Sequence, residues 1–311
     1  MNAAQYRVYG DTSVTEVVDD APIPEPAAGQ VQVQVYAAGI NPIDAAIRSG
    51  YLKDKIPLPL PITLGGDFSG IVSKVGDGVS GVAVGDEVFG VANPLKGGSG
   101  STAEFVVAGA GNIAKKPTRV DHTHAAALPL AGTSAIQGIE EHIHIGKGQQ
   151  ILIHGGAGGI GSLAIQIAKA QGAIVAATAS TEDAAFVKEI GADLVIDYKR
   201  EDFIRIVSGY DAVFVTVGGD VANRSIPVVK PGGIVVSMTG QPDLEKAKRH
   251  QITAIAQGTN GTTKQLDRLA ELVDGGVIAP VIDRTYPLEQ TRAAYERLTS
   301  HPRGKVVITV K

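Results

Sequence analysis

The stretch Ile151-Leu-Ile-His-Gly-Gly-Ala-Gly-Gly-Ile-Gly-Ser-Leu-Ala-Ile-Gln-Ile-Ala-Lys-Ala-Gln-Gly172 decides the fold. A short apolar run enters a glycine cluster, and the cluster opens an amphipathic helix. Gly156, Gly158 and Gly161 carry the G-x-G-x-x-G spacing, with Ala157, Gly159 and Ile160 between them. In that pattern the first glycine permits a tight turn, the second lets a pyrophosphate reach the backbone, and the third brings helix close to strand. The free N–H groups and positive dipole end of the helix then face the phosphates. Leu163, Ile165, Ile167 and Ala168 continue as helix, Gly172 ends it, and Ile174 to Thr178 reads as the next strand. This strand–turn–helix–strand context implies a dinucleotide site.

Downstream the alternation continues. Ser180 stands at a helix start that closes at Gly191, Leu194 to Ile196 is a strand, and Glu201 to Val207 a short helix. Asp211 to Val217 is a strand halted by Gly218-Gly219, Pro231-Gly232-Gly233 is a turn, and Ile234 to Met238 is the next strand. Near-continuous apolar strands separated by helices predict a parallel sheet covered on both faces.

Upstream the texture is β-rich. Gln30-Val-Gln-Val-Gln-Val-Tyr36 alternates strictly, predicting one buried and one wet face. Phe68 to Val75, Glu87 to Ala92 and Ala103 to Val107 read as further strands, and 21–26 and 56–61 as extended loops. Helix signals begin over Asp121 to Ile139. Thr262 to Val273 and Thr291 to Leu298 are helical, and Lys305 to Val310 is a strand expected to rejoin the N-terminal sheet. The expected fold is α/β: a Rossmann-type doubly wound parallel sheet over 125–257, plus a discontinuous β-rich domain from 1–124 and 258–311. A cofactor is expected in the cleft between them.

Composition narrows the classes. A length of 311 residues suggests about two domains. A net charge of −4 without a basic block argues against a nucleic-acid surface. The chain has no cysteine, which removes disulfides, thiol nucleophiles and thiolate metal sites. No apolar run reaches the about 18 residues of a membrane span, and residues 1–7 lack an apolar signal region, so a cytoplasmic location is expected.

Several separated motifs resemble one family. They are Ala38-Gly-Ile-Asn-Pro-Ile-Asp44 with Ile47-Arg-Ser-Gly50, Leu64-Gly-Gly-Asp-Phe-Ser-Gly70, Gly85-Asp-Glu-Val-Phe-Gly90 and Ala127-Leu-Pro-Leu-Ala-Gly-Thr-Ser-Ala135. The glycine motif, Gly191-Ala-Asp-Leu-Val-Ile-Asp-Tyr198, Val217-Gly-Gly219 and Arg303-Gly-Lys-Val-Val307 complete the set. Together they resemble the zinc-independent quinone oxidoreductases of the medium-chain dehydrogenase/reductase superfamily, whose β-rich domain is GroES-like. Zinc alcohol dehydrogenases share this framework, but place cysteine where this chain has Asn41 and histidine where it has Gly66. Asp67 alone cannot replace the three protein ligands a catalytic zinc takes, so no metal is expected.

The resemblance implies a hydride transfer to a quinone or another activated carbonyl or alkene. NADPH is the expected cofactor, because Thr178-Ala-Ser180 stands where NAD enzymes place an acid. The implied cofactor contacts are Asn41, Ser134, the glycine turn from Gly156 through Ala157, Gly158, Gly159 and Ile160 to Gly161, Ser180, Tyr198, Val217, Gly218, Gly219 and Arg303. Asn41, Arg48 and Tyr51 are the candidate catalytic residues, the last two as carbonyl or enolate stabilisers in a substrate-entry segment. Lys305 reads as merely the start of the last strand. A homodimer paired through Ile234 to Met238, expected as the sheet's open edge, follows from the same resemblance. Tyr51-x-x-x-Lys55 has the spacing of the short-chain dehydrogenase pair but precedes the glycine motif, against that family's order. A non-catalytic NADPH-binding protein, crystallin-like or a sensor, is the alternative.

Overall fold

The computed structural model describes all 311 residues, and the chain forms two compact units. One comprises Met1–Leu130, Gly261–Gly276 and Pro280–Lys311; the other comprises Ala131–Asn260 with Val277–Ala279.

The first unit is built on the strand Gln30–Gly39. It pairs antiparallel with Asp67–Val75, with Phe105–Gly109 and with the C-terminal strand Lys305–Thr309. The sheet runs on through Glu87–Val91 and Ile113–Lys115 on one side, and through Ile282–Pro287, parallel to the last strand, on the other. A small sheet joins Ala3–Tyr6 to Glu16–Val18 and Ile62–Thr63. Val31, Val33 and Val35 enter a core with Phe68, Val106 and Tyr295, as the alternation requires. Each such side chain, fully buried, contributes about 1.5–3 kcal/mol. The face predicted to be wet is partly covered. Gln32 is buried because its Nε2 donates to the Pro24 carbonyl at 2.7 Å and its Oε1 accepts from the Ser73 hydroxyl at 2.7 Å.

The second unit holds a six-stranded parallel sheet. Its strands along the chain are Gln150–His154, Ile174–Ala179, Leu194–Asp197, Tyr210–Val215, Val229–Ser237 and Thr253–Ala256. Their spatial order is third, second, first, fourth, fifth, sixth, the doubly wound order of dinucleotide-binding sheets. Ile151, Leu152 and Ile153 are fully buried, as strands covered on both faces must be. The helix Gly159–Ala170 buries Leu163, Ala164, Ile165, Ile167 and Ala168, and Gly172, at φ +80°, turns the chain out of it.

Three expectations are corrected here. Ile234 to Met238 is not the sheet's edge: the strand containing it lies between its neighbours, and Thr253–Ala256 forms the edge. Pro231-Gly232-Gly233 falls inside the span of that strand rather than before it, as an excursion where the pairing passes from Val229 to Ile234 and Gly232 takes φ +82°. The helix read over Asp121 to Ile139 is divided into His122–Ala126 and Pro129–Ile136, followed by a π-helical turn over Gln137–Ile143. Pro129 forces the break, because it disfavours helical backbone at Leu128 and supplies no N–H itself.

Candidate active site

In the second unit the carboxyl ends of the first, second and fourth strands meet at the glycine turn. The Gly155 N–H donates to Thr178 Oγ1 at 3.1 Å, and the Gly156 N–H to the Thr178 carbonyl at 2.9 Å. The Thr216 hydroxyl donates to the His154 carbonyl at 2.7 Å, fixing the segment that leads into Val217, Gly218 and Gly219. The tight turn is made by Gly155, at φ +78°, rather than by Gly156. A methyl group on Gly156 would lie 3.0–3.2 Å from Ala177, Ile165 and Val187, so this glycine serves close packing instead. On Gly161 it would strike the Gly155 carbonyl oxygen at 2.1 Å, the close approach of helix to turn.

Gly158 differs from both. It caps the helix in extended conformation with no side-chain cap, and a Cβ there would meet only the Gly155 oxygen, at 3.4 Å. The first turn of the helix therefore offers backbone N–H groups over open space, the arrangement a pyrophosphate needs. Gly218 and Gly219 likewise have nothing within 4 Å of an added Cβ. These residues fit a dinucleotide.

Ser180 follows the second strand and is buried. Its hydroxyl donates to Asp183 Oδ2 at 3.1 Å, while the Lys199 ammonium lies 3.4 Å from the Glu182 carboxylate. Glu182 is held below the usual carboxylate range, first by its own backbone N–H, then by Ser180 and Lys199. The Tyr198 N–H donates to the Ala179 carbonyl at 3.2 Å, leaving its ring exposed beside Lys199. Ser134 lies in the helix Pro129–Ile136. Its hydroxyl meets Thr259 Oγ1 at 2.5 Å, and its carbonyl accepts from Gln257 Nε2 at 2.9 Å.

The first unit contains a buried polar cluster. Asn41, only 3% exposed, precedes the helix Pro42–Arg48, and its backbone N–H donates to Asp44 Oδ2 at 2.8 Å. Its Nδ2 donates to Asp67 Oδ2 at 3.0 Å, and its Oδ1 accepts from the Lys305 ammonium. Lys305 also donates to the Ile40 carbonyl at 2.8 Å and stands 3.6 Å from Asp67. The other oxygen of Asp67 accepts the Leu130 N–H at 3.1 Å. Burial pushes the Asp67 carboxyl up and the Lys305 ammonium down, and the attraction between them opposes both shifts. Asp44 is pushed up to about 7 by burial, against the Asn41 N–H that holds it down.

Two candidates are placed unexpectedly. Arg48 is turned away from solvent: it is 5% exposed, its guanidinium 5.3 Å from the Tyr295 ring centroid, with Nε and Nη1 unpartnered. It packs in this unit's core against Tyr295. Tyr51, by contrast, is 82% exposed in the turn after the helix. Arg303 is exposed, and its backbone N–H donates to Asp283 at 3.1 Å. Lys305 is the residue that sequence reasoning passed over. Its strand position offered a signal, since alternation puts it on the face of Val307, which is fully buried.

The model for the alcohol dehydrogenase GroES-like domain matches residues 27–118, and that for the zinc-binding dehydrogenases matches residues 190–308. The NADPH-dependent alkenal/one oxidoreductase, chloroplastic, of Arabidopsis thaliana is 37% identical over 99% of this chain and 79% of its own length. The 2-methylene-furan-3-one reductase of Solanum lycopersicum is 38% identical over the same shares. The structure of the quinone oxidoreductase from Coxiella burnetii superimposes with a TM-score of 0.91 at 36% identity, covering 100% of this chain and 99% of that one. A GroES-like unit with a doubly wound nucleotide-binding unit is the build of the medium-chain dehydrogenases and reductases. Within that superfamily, the chain belongs to the zinc-independent quinone oxidoreductase family.

Proposed function

We propose that this protein uses NADPH to reduce quinones and α,β-unsaturated carbonyl compounds by hydride transfer, without zinc. The observation that carries the reading is the uncapped helix start over Gly158, with open space where a pyrophosphate would lie. The relatives' activity on alkenals, enones and quinones supports the acceptor class. Bound NADPH supplies the hydride, and the chain's task is to hold, orient and desolvate the reactants.

Gly159, Ile160 and Gly161 would bind the pyrophosphate through backbone N–H groups, while Gly158, whose own N–H donates to the Gly155 carbonyl at 3.1 Å, would leave it room. Ser180, Tyr198 and Lys199 would receive the 2′-phosphate, with Ser180 and Lys199 exchanging their present acidic partners for it. Ser134, Val217, Gly218, Gly219 and Arg303 complete the cofactor contacts. Asn41 is the amide assigned to the reacting end, and Tyr51 the exposed side chain assigned to the acceptor. No acid–base dyad is required, because solvent can supply the proton that follows the hydride.

Zinc-independence rests on the donor set. Gly66 has no side chain, Asn41 is committed to Lys305 and Asp67, and no group of three His, Cys, Asp or Glu could hold a metal. We further propose that the protein is cytoplasmic, that nucleic acid and membrane are not among its partners, and that it works as a homodimer. No helix of the chain is long and apolar enough to cross a membrane. The deciding experiment is NADPH oxidation with a 2-alkenal and with a benzoquinone, each in the presence of chelator. Acceptor-dependent oxidation that survives chelation is expected. NADPH binding without turnover of either acceptor would contradict the proposal, and so would one tightly held zinc per chain.

A further inference from the structure

Lys305 is a charged residue at the start of an apolar strand, 6% exposed, and its part in the proposed reaction is unassigned. Its surroundings are all oxygen: the Ile40 carbonyl at 2.8 Å, Asn41 Oδ1, and Asp67 Oδ2 at 3.6 Å. Asparagine amides can turn over and exchange oxygen for nitrogen, and only their partners decide which way they point. Here the partners leave no freedom. An ammonium has only hydrogens to give, so it must face Oδ1. An ionised carboxylate has only lone pairs, so Asp67 must face Nδ2. Turning the amide over would set donor against donor and acceptor against acceptor, losing two charge-assisted bonds in a buried site. One Nδ2 hydrogen then remains without a partner in the chain.

We propose that Lys305 is a positioning residue for hydride transfer, which with Asp67 locks the Asn41 amide so that it offers an N–H to the acceptor's oxygen. The proposal rests on the reading that Asn41 meets the reacting groups. Negative charge develops on a quinone or enone oxygen as hydride arrives at carbon, and a fixed N–H donor stabilises that charge without reorganising. The positive charge of Lys305 behind the amide oxygen polarises the same N–H further.

Removing Lys305 alone would strand the Asp67 carboxylate in the core, which is costly for the fold. The test variant is therefore the charge-balanced pair Lys305→Met with Asp67→Asn, compared with Asn41→Ala and with all three changes together. In the pair, where neither changed residue is assigned to the cofactor, NADPH affinity by fluorescence titration should match the parent's, and kcat for a 2-alkenal should fall by about tenfold to a hundredfold. KM for the alkenal should move much less than kcat. The triple variant should be no slower than Asn41→Ala, because both routes disable one amide. Lys305→Gln made together with Asp67→Asn strands no carboxylate, can still donate to Oδ1, and should recover part of the kcat lost in the pair. That variant also serves if the pair does not fold. Parental kcat in the pair, a further multiplicative loss in the triple variant, or a Lys305→Gln combination as slow as the pair would each overturn the role of Lys305. Parental kcat in Asn41→Ala would instead overturn the reading of Asn41 itself.

Discussion

The glycines of the nucleotide turn have different duties, and their surroundings separate them. Gly158→Val places a branched side chain over the helix start, where the chain itself presents little to hit. The variant should fold with a melting temperature near the parent's and show no measurable NADPH binding by fluorescence titration. Gly161→Ala drives a methyl group into the Gly155 carbonyl, so it should lose thermal stability even without cofactor. Normal NADPH binding by Gly158→Val would mean the pyrophosphate lies elsewhere. The acidic pair at the second strand's end makes a separate forecast. Glu182 holds Lys199, and its charge would repel a 2′-phosphate. Glu182→Gln should tighten NADPH binding while leaving NADH nearly unaffected, a difference largest at low salt. Equal effects on both cofactors would remove Ser180 and Lys199 from the phosphate site.

Among the elements, the helix Pro42–Arg48 combines an ordinary start with an unusual buried acid. Asp44 closes on the Asn41 N–H as a third-position capping acid does, yet it is 2% exposed. Its carboxyl sits at about 7 in the fold, above its unfolded value, so the native state holds the proton more tightly. The stabilisation is complete below about 4 and is lost as pH rises toward 7. Asp44→Asn keeps an acceptor for the Asn41 N–H and cannot ionise. Urea midpoints at pH 5 and pH 8 should therefore fall further in the parent than in the variant, and equal falls would refute the assignment.

Much of this was legible in the residues. The strand–glycine–helix run, the apolar strands after it and the alternation of Gln30 to Tyr36 were readable because local pattern and burial coincide there. The buried cluster was harder to see. Asn41, Asp67 and Lys305 come together only when the last strand pairs with Gln30–Gly39, so no local spacing announces them. The burial of Arg48 is hidden from the sequence for a related reason. A charged residue ending a short helix suggests solvent, and only the distant Tyr295 ring draws it inward. The sheet edge was misplaced because Thr253–Ala256 is short and mixed in polarity, which conceals it beside the stronger apolar run before it.

For the whole molecule, that edge strand bears on assembly. Thr253–Ala256 pairs on one side only, leaving backbone groups of the nucleotide sheet open to another strand. Pairing with the same strand of a second copy would cover both edges. Light scattering should show a dimer, and Ile255→Lys should shift it toward monomer by charging the contact. A parent that stays monomeric at micromolar concentration would contradict the proposed assembly. The central claim is the hydride transfer itself. Its most direct test is turnover of a 2-alkenal with NADPH carrying deuterium at both nicotinamide C4 positions, with mass spectrometry and NMR on the product. One deuterium at the β-carbon is expected, with the α-carbon hydrogen taken from solvent and no change on adding chelator. Product without deuterium, or NADPH left unconsumed beside every acceptor, would contradict it.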